Sequence, residues 1–141
     1  MIKFTWNGGP NDPLLELLPE NAARILHSEP LMLRIVSVPL ALRARGYPAG
    51  LEARVDFRIS DGLIAQNDGD FTVKVSGGKA TVRRGGTGSV RLDIRSLAQL
   101  FTGKCSPREL ALLGRIEAGE KELDALAPVF AGPAPGLPDD F

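Results

Sequence analysis

Leu51-Glu52-Ala53-Arg54-Val55-Asp56-Phe57-Arg58-Ile59-Ser60 alternates apolar and polar residues without a break. A period of two places Leu51, Ala53, Val55, Phe57 and Ile59 on one face of a strand and the charged residues on the other. The same alternation returns at Phe71, Val73 and Val75, at Ala80 and Val82, and at Val90, Leu92 and Ile94, where Arg91, Asp93 and Arg95 face outward. Between these runs lie Asn67-Asp68-Gly69-Asp70, Ser76-Gly77-Gly78-Lys79 and Gly85-Gly86-Thr87-Gly88, all built from residues that tolerate positive φ. The links are too short for a crossover helix, so the reading is an antiparallel meander of four strands. Each large side chain on the inner face gains roughly 1.5–3 kcal/mol on burial, so the flanking segments must cover that face.

Downstream, Ser96-Leu97-Ala98-Gln99-Leu100-Phe101 gives one or two helical turns ending near Gly103. Ser106-Pro107-Arg108-Glu109 is a capping box with proline at the first helical position, opening a helix that ends at Gly114. Glu120 to Leu126 forms a third helix closed by Pro128, with Leu123 and Leu126 facing the sheet. Upstream, Leu31 to Val36 reads as a strand buried on both faces apart from Arg34. Ser37 then caps a helix from Pro39 to Arg45, with Leu40 and Ala44 on one side and Gly46 as a left-handed terminator. Strands followed by small helices make an α+β layer: an antiparallel sheet covered on one face by short helices.

The first residues fit that layer poorly. Met1 to Trp6 reads as a short strand, Asn7 to Asn11 as a loop, and Asp12-Pro13 as the cap and first position of a short helix from Leu14 to Leu18, stopped by Pro19. Leu14, Leu15, Leu17 and Leu18 are more apolar than so short a helix can hide. The segment resembles the trailing edge of another domain, and self-association of this chain alone is expected.

A chain of 141 residues can bury a core without disulfides or metal. Seventeen Lys and Arg balance seventeen Asp and Glu, and without an excess of positive charge or a basic run no nucleic-acid partner is implied. No apolar run approaches membrane-spanning length and no signal peptide is legible, so a cytoplasmic protein without a membrane partner is expected. Cys105, the one cysteine, reads as a half-buried small residue. His27, the one histidine, has no partner arrangement for catalysis, and Asp12, Asp61, Asp68 and Asp70 lack the spacing of a metal loop, so no metal is expected. Arg83-x-x-Gly86-x-Gly88 spells the phosphate-cradling loop of acyl-CoA-dependent acetyltransferases, but a strand follows it instead of a helix, so it reads as a hairpin turn.

The order of motifs carries further information. Trp6-Asn7-Gly8-Gly9-Pro10-Asn11-Asp12-Pro13 comes first. Leu33-Arg34-Ile35-Val36-Ser37-Val38 with Ala41-Leu42-x-x-Arg45-x-Tyr47 follows, then Leu92-Asp93-Ile94-Arg95-x-Leu97 with Phe101-x-Gly103, and an aromatic end at Phe141. Together they resemble the C-terminal part of Eis-type (enhanced intracellular survival) N-acetyltransferases of the GNAT class. Such enzymes have two acetyltransferase-like domains followed by a sterol-carrier-protein-like domain. The resemblance implies that residues 1–28 are the end of the second acetyltransferase-like domain and its linker, and that residues 29–141 are the sterol-carrier-protein-like domain with its tail. It implies that acetyl-CoA binds in the full-length enzyme and not on this chain, and that the partners are the preceding acetyltransferase-like domains, an amine substrate and further copies in a homo-oligomer. In the family the free carboxylate of the last residue is the general base, which points to Phe141. A free α-carboxyl titrates near about 3.3–3.7, so it must be desolvated to serve as a base at neutral pH. Asp140 and Glu29 stand where acidic groups would receive a cationic amine. Ser37 replaces the Asp common at that position. The alternative is a free-standing sterol-carrier-like module that binds a lipid or another apolar ligand.

Overall fold

The computed structural model describes residues 32–132 without a break, and before them residues 12–19 with Thr5, Gly8 and Arg24. Apart from the isolated Thr5 and Gly8, the strand read at Met1 to Trp6 and the loop after it lie outside the described residues, as do the boundary at residues 28 and 29, His27 and the tail from 133 to 141. The short upstream helix is a 3-10 turn, Pro13–Leu17, whose cap is Asp12: its carboxylate accepts from the Leu14 N–H at 2.9 Å.

The fold is α+β, as the alternation predicts. Five strands, β1 (Ala53–Ser60), β2 (Gly69–Ser76), β3 (Lys79–Arg84), β4 (Val90–Asp93) and β5 (Ile116–Glu117), form one sheet in the order β3-β2-β1-β4-β5. Helices α1 (Val38–Ala44), α2 (Ile94–Thr102), α3 (Pro107–Leu112) and α4 (Glu120–Phe130) make up the helical layer. Phe57, Ile59, Phe71, Val73, Val82 and Val90 line the covered face, and Leu42, Leu97, Leu100, Leu126 and Val129 come down on it. Phe130 closes the layer edge-to-face on Phe57, with ring centroids 6.3 Å apart.

The meander ends after three strands. β1–β2 and β2–β3 pair antiparallel, but β4 does not pair with β3. It lies on the far edge of β1 and runs parallel to it, with Phe57 opposite Val90 and Ser60 opposite Asp93. The chain reaches it without a helix because residues 85–89 run across the outward face of the sheet. Three strand spacings are about 14 Å, and five extended residues reach about 18 Å. The short link therefore permits a parallel crossover.

Other expectations are corrected. Residues 32–36 form no strand: Met32, Leu33 and Val36 are exposed, and only Ile35 enters the core. No ladder forms; instead the Asn67 amide donates to the Ile35 carbonyl at 3.2 Å and accepts from the Val38 N–H at 2.9 Å. Ser37 does cap α1, accepting from Leu40 N–H at 3.4 Å, yet the packed face is Val38 and Leu42 while Leu40 and Ala44 are exposed. α1 ends on Arg45 in extended conformation, and Gly46 is not left-handed. Ile94 is the first residue of α2 rather than the end of a strand, because Asp93 caps the helix by accepting from Ser96 N–H at 2.7 Å. Gly103 terminates α2 at φ 74°, and the Ser106/Glu109 capping box opens α3, as read. Pro128 does not close α4, which runs on to Phe130. The proline lies on the exposed side, where its missing N–H leaves no buried group unpaired, and Val129 and Phe130 anchor the last turn in the core.

Candidate functional site

Phe141, Asp140 and Glu29 lie outside the described residues. The structure does describe the root of the tail. α4 delivers the chain to Ala131 and Gly132 beside Arg45, whose guanidinium sits over the rings of Phe130 (5.4 Å), Tyr47 (5.7 Å) and Phe101 (6.0 Å). Its Nε donates to the Phe101 carbonyl at 3.3 Å, and Nη1 donates to the Gly46 and Val129 carbonyls at 3.4 Å each. Tyr47 is itself buried and donates its hydroxyl to the Leu42 carbonyl at 2.7 Å. Burial pushes that phenol up, against the opposing pull of Arg45.

The glycine-rich link is neither a hairpin turn nor a phosphate cradle. Gly85 N–H donates to the Asp70 carbonyl at 2.8 Å, and the Gly85 carbonyl lies 3.1 Å from Thr72 Oγ1. The link then lies on Asp56, read as an outward charge but buried in fact. Thr72 Oγ1 donates to Asp56 Oδ1 at 2.5 Å, Thr87 Oγ1 to Oδ2 at 3.2 Å, and Arg54 also reaches Oδ2 at 3.2 Å. Burial alone would raise the Asp56 carboxyl, but Thr72, Arg54 and Thr87 outweigh it and hold the group below its ordinary value. A Cβ on Gly86 would stand 2.7 Å from Thr72 Oγ1 and 2.9 Å from Asp56 Oδ1. The Asp56 carboxylate thus lies directly under the link, and β4 follows it instead of a helix.

A second buried carboxylate does similar positional duty. Asp61 Oδ1 accepts from Arg34 at 2.6 Å, Leu63 N–H at 3.0 Å and Ile64 N–H at 3.1 Å, while Oδ2 accepts from Asn67 at 3.0 Å. Burial would raise this group too. The donors from Asn67, Leu63, Ile64 and Arg34 overcome it and hold Asp61 well below the usual carboxylate range. Asp61 thus holds the turn that follows it, through the Leu63 and Ile64 N–H groups. Its coupling to Asn67, fully buried, has no periodic signal and could be suspected only from an Asn in a loop rich in Asp.

Two surface cavities lie on the outward face. One, of about 280 Å³, is lined by Arg58, Asp70, Thr87, Gly88 and Arg91; the other, of about 370 Å³, adds Ser96, Asp93, Arg115 and Glu117 around the same two arginines. Both are lined by charges of both signs, and Leu92 adds an apolar wall to the second. Among the described residues no group of three or more His, Cys, Asp or Glu side chains is placed to hold a metal ion, and no helix is long and apolar enough to cross a membrane. Cys105 is free and half-buried, as read.

The sterol carrier protein domain family profile matches residues 38–138. An uncharacterized N-acetyltransferase of Streptomyces griseus is 37% identical over 139 residues, covering 94% of this chain and 32% of that protein. N-acetyltransferase Eis of Mycobacterium tuberculosis is 30% identical over 118 residues, covering 81% of this chain and 28% of that protein. The crystal structure of a GCN5-related N-acetyltransferase from Anabaena variabilis superposes with a TM-score of 0.88 at 44% identity, over 94% of this chain and 34% of that one. The chain thus spans about a third of the length of the curated relatives it matches.

Proposed function

Because the chain belongs to the sterol carrier protein domain family, and its relatives are N-acetyltransferases about three times its length, we propose that it is the C-terminal domain of an Eis-type N-acetyltransferase. Residues 1–28 then close the preceding acetyltransferase-like domain and residues 29–141 form the sterol-carrier-like unit. Acetyl-CoA supplies the acetyl group on the portion of the enzyme outside this chain. The contribution from here is the Phe141 carboxylate, which accepts the proton released as the substrate amine becomes an amide, with Asp140 and Glu29 drawing the cationic amine toward it. Exposed Met32, Leu33, Val36 and Leu40 form the apolar surface assigned to contact with the preceding domains, and the enzyme assembles as a homo-oligomer in the cytoplasm.

The observation that carries this reading is the match along 94% of the chain to a protein named for N-acetyl transfer. The geometry adds that the space between sheet and helices is filled by Phe57, Phe71, Leu97, Leu100 and Leu126, which does not favour a lipid carrier. In the full-length enzyme, two glycines appended after Phe141 should abolish amine acetylation while leaving acetyl-CoA binding intact. Undiminished turnover would overturn the role of the terminal carboxylate.

A further inference from the structure

β3 is an outer strand of the sheet, so one row of its backbone groups has no strand to pair with. The register identifies that row. Ser76 and Lys79 close the two-residue hairpin between β2 and β3, and a closing pair of this kind exchanges both hydrogen bonds, with every second pair after it doing the same. Lys79, Thr81 and Arg83 therefore bond to β2. The Gly85 N–H continues the series by donating to the Asp70 carbonyl at 2.8 Å. Ala80, Val82 and Arg84 are left with their N–H and C=O groups directed away from β2, at the free edge. Such an edge is a template for a further strand.

The two edges of the sheet are protected by different means. β5, at the far edge, is only Ile116–Glu117, too short to act as a template. β3 is longer, Lys79–Arg84, and its hairpin end is closed by main chain: Tyr47 N–H donates to the Gly78 carbonyl at 3.3 Å, and a Cβ on Gly78 would stand 3.3 Å from the Tyr47 carbonyl oxygen. Further along the strand the cover is a side chain. Arg43, in the last turn of α1, donates from Nη2 to the Val82 carbonyl at 2.6 Å, in the middle of the free row. The residue is exposed, so what it brings to this edge is its guanidinium and not its burial.

We propose that Arg43 is a guard on the edge of the sheet: while its guanidinium holds the Val82 carbonyl, β3 cannot pair antiparallel with β3 of a second copy of this chain. The excluded partner follows from the strand itself. Turned about Val82, two copies of β3 place Val82 opposite Val82, Ala80 opposite Arg84 and Thr81 opposite Arg83, so no like charges stand directly opposite. Residues paired in this way lie on the same side of a sheet, and the covered faces of the two copies would continue into one another. Two things oppose that union: the guanidinium over the central carbonyl, and the combined positive charge of Lys79, Arg83 and Arg84, all exposed. The inference does not depend on the activity of the chain.

The test compares the native chain with R43M, R43K and R43M/A80P by sedimentation over a range of concentrations, with amide hydrogen exchange on the same samples. R43M keeps the stem and loses the donor. It should self-associate at a concentration at least about tenfold below that of the native chain, and more strongly at high salt, which screens the three cations. Association through Leu14 to Leu18 is common to all four forms and cancels in the comparison. In R43M the N–H groups of Ala80, Val82 and Arg84 should exchange more slowly as concentration rises. R43K, which restores a donor of nearly the same reach, should return to native behaviour. A80P removes an N–H that points away from β2, so it costs no ladder bond, and in the R43M background it should reverse the association. R43Q, too short to reach Val82, serves where R43M fails to fold. The proposal is overturned if the chain without the Arg43 donor sediments as the native chain does. It is equally overturned if the added association leaves the exchange of those three amides independent of concentration, or survives A80P undiminished.

Discussion

Two glycine-rich links, Ser76-Gly77-Gly78-Lys79 and Gly85-Gly86-Thr87-Gly88, stand on the two sides of β3 and use the same kind of residue to opposite ends. The first is a two-residue hairpin, with Gly77 at φ 55° and Gly78 at φ 79°. Its positive φ values match the twist of the strands it joins, so β2 and β3 lie side by side. The second abandons its neighbour and crosses two strands to reach the far side of β1. In the hairpin, the glycines answer to backbone twist. In the crossover, Gly86 answers to what lies beneath it, the Asp56 carboxylate and the Thr72 hydroxyl. The pair teaches that turn chemistry says where a chain bends, while the groups under a loop decide where it goes.

The largest effect expected from breaking that contrast is at Gly86. G86A puts a methyl within 2.7–2.9 Å of two oxygens that are already hydrogen-bonded to each other, at a φ of 127°. Overpacking together with the disfavoured backbone should destabilise the chain by about 2–4 kcal/mol in urea unfolding. A value within a few tenths of the native protein would mean that the crossover is not seated on Asp56. Next comes D56N. It replaces an acceptor that serves Thr72, Thr87 and Arg54, so a loss of about 1–3 kcal/mol is expected at neutral pH.

That loss should depend on pH with a definite sign. The folded Asp56 carboxyl lies below its ordinary value, so the unfolded chain takes up its proton first as pH falls. The stability it contributes is complete above the unfolded value, about 3.9, and is lost as pH drops through that value toward the folded one. The gap between native protein and D56N should hold from pH 7 down to about 5 and close below about 4. Both proteins will lose stability in acid through Asp61, also depressed, so it is the difference between them that carries the information. A gap constant down to pH 3 would show that Asp56 acts by shape alone.

The same contrast explains how much could be read before folding. The inner faces of β1, β2 and β3 were legible because a period of two over five or more residues has few other solutions. The caps at Ser37, Asp12 and Ser106 were legible because each is a local bargain between one side chain and one backbone N–H. The return of β4 to β1 was not, since nothing in Gly85 to Ser89 records that Asp56 and Thr72 wait twelve or more residues upstream. Residues 32–36 failed for a related reason: five apolar-rich residues look like a strand, but their backbone partner is the Asn67 amide, a long-range choice with no pattern. β5, two residues long, has no period to detect. The proposed terminal carboxylate could be suggested only by resemblance, because it has no motif of its own, and Arg45 appeared there only as one residue of a spaced motif. Its contacts are with three helix ends that converge only in the fold.

The smallest expected effect separates the two links most cleanly, because it is one of sign. Asparagine is the side chain that best tolerates left-handed backbone, and Asn-Gly is the favoured pair for a two-residue hairpin. At Gly77 a Cβ meets nothing within 4 Å, so G77N creates that pair without a clash and narrows the choices of the unfolded chain. It should leave stability unchanged or raise it by about 0.4–1 kcal/mol. The identical change at Gly86 meets the two oxygens and must destabilise. Parallel urea titrations of G77N and G86N therefore compare one substitution in two glycine-rich links. Opposite signs mean that the hairpin glycine is there for its backbone and the crossover glycine for its missing side chain. Equal losses would mean that backbone conformation alone accounts for both, and the seat on Asp56 would no longer be needed to explain why β4 lies beside β1.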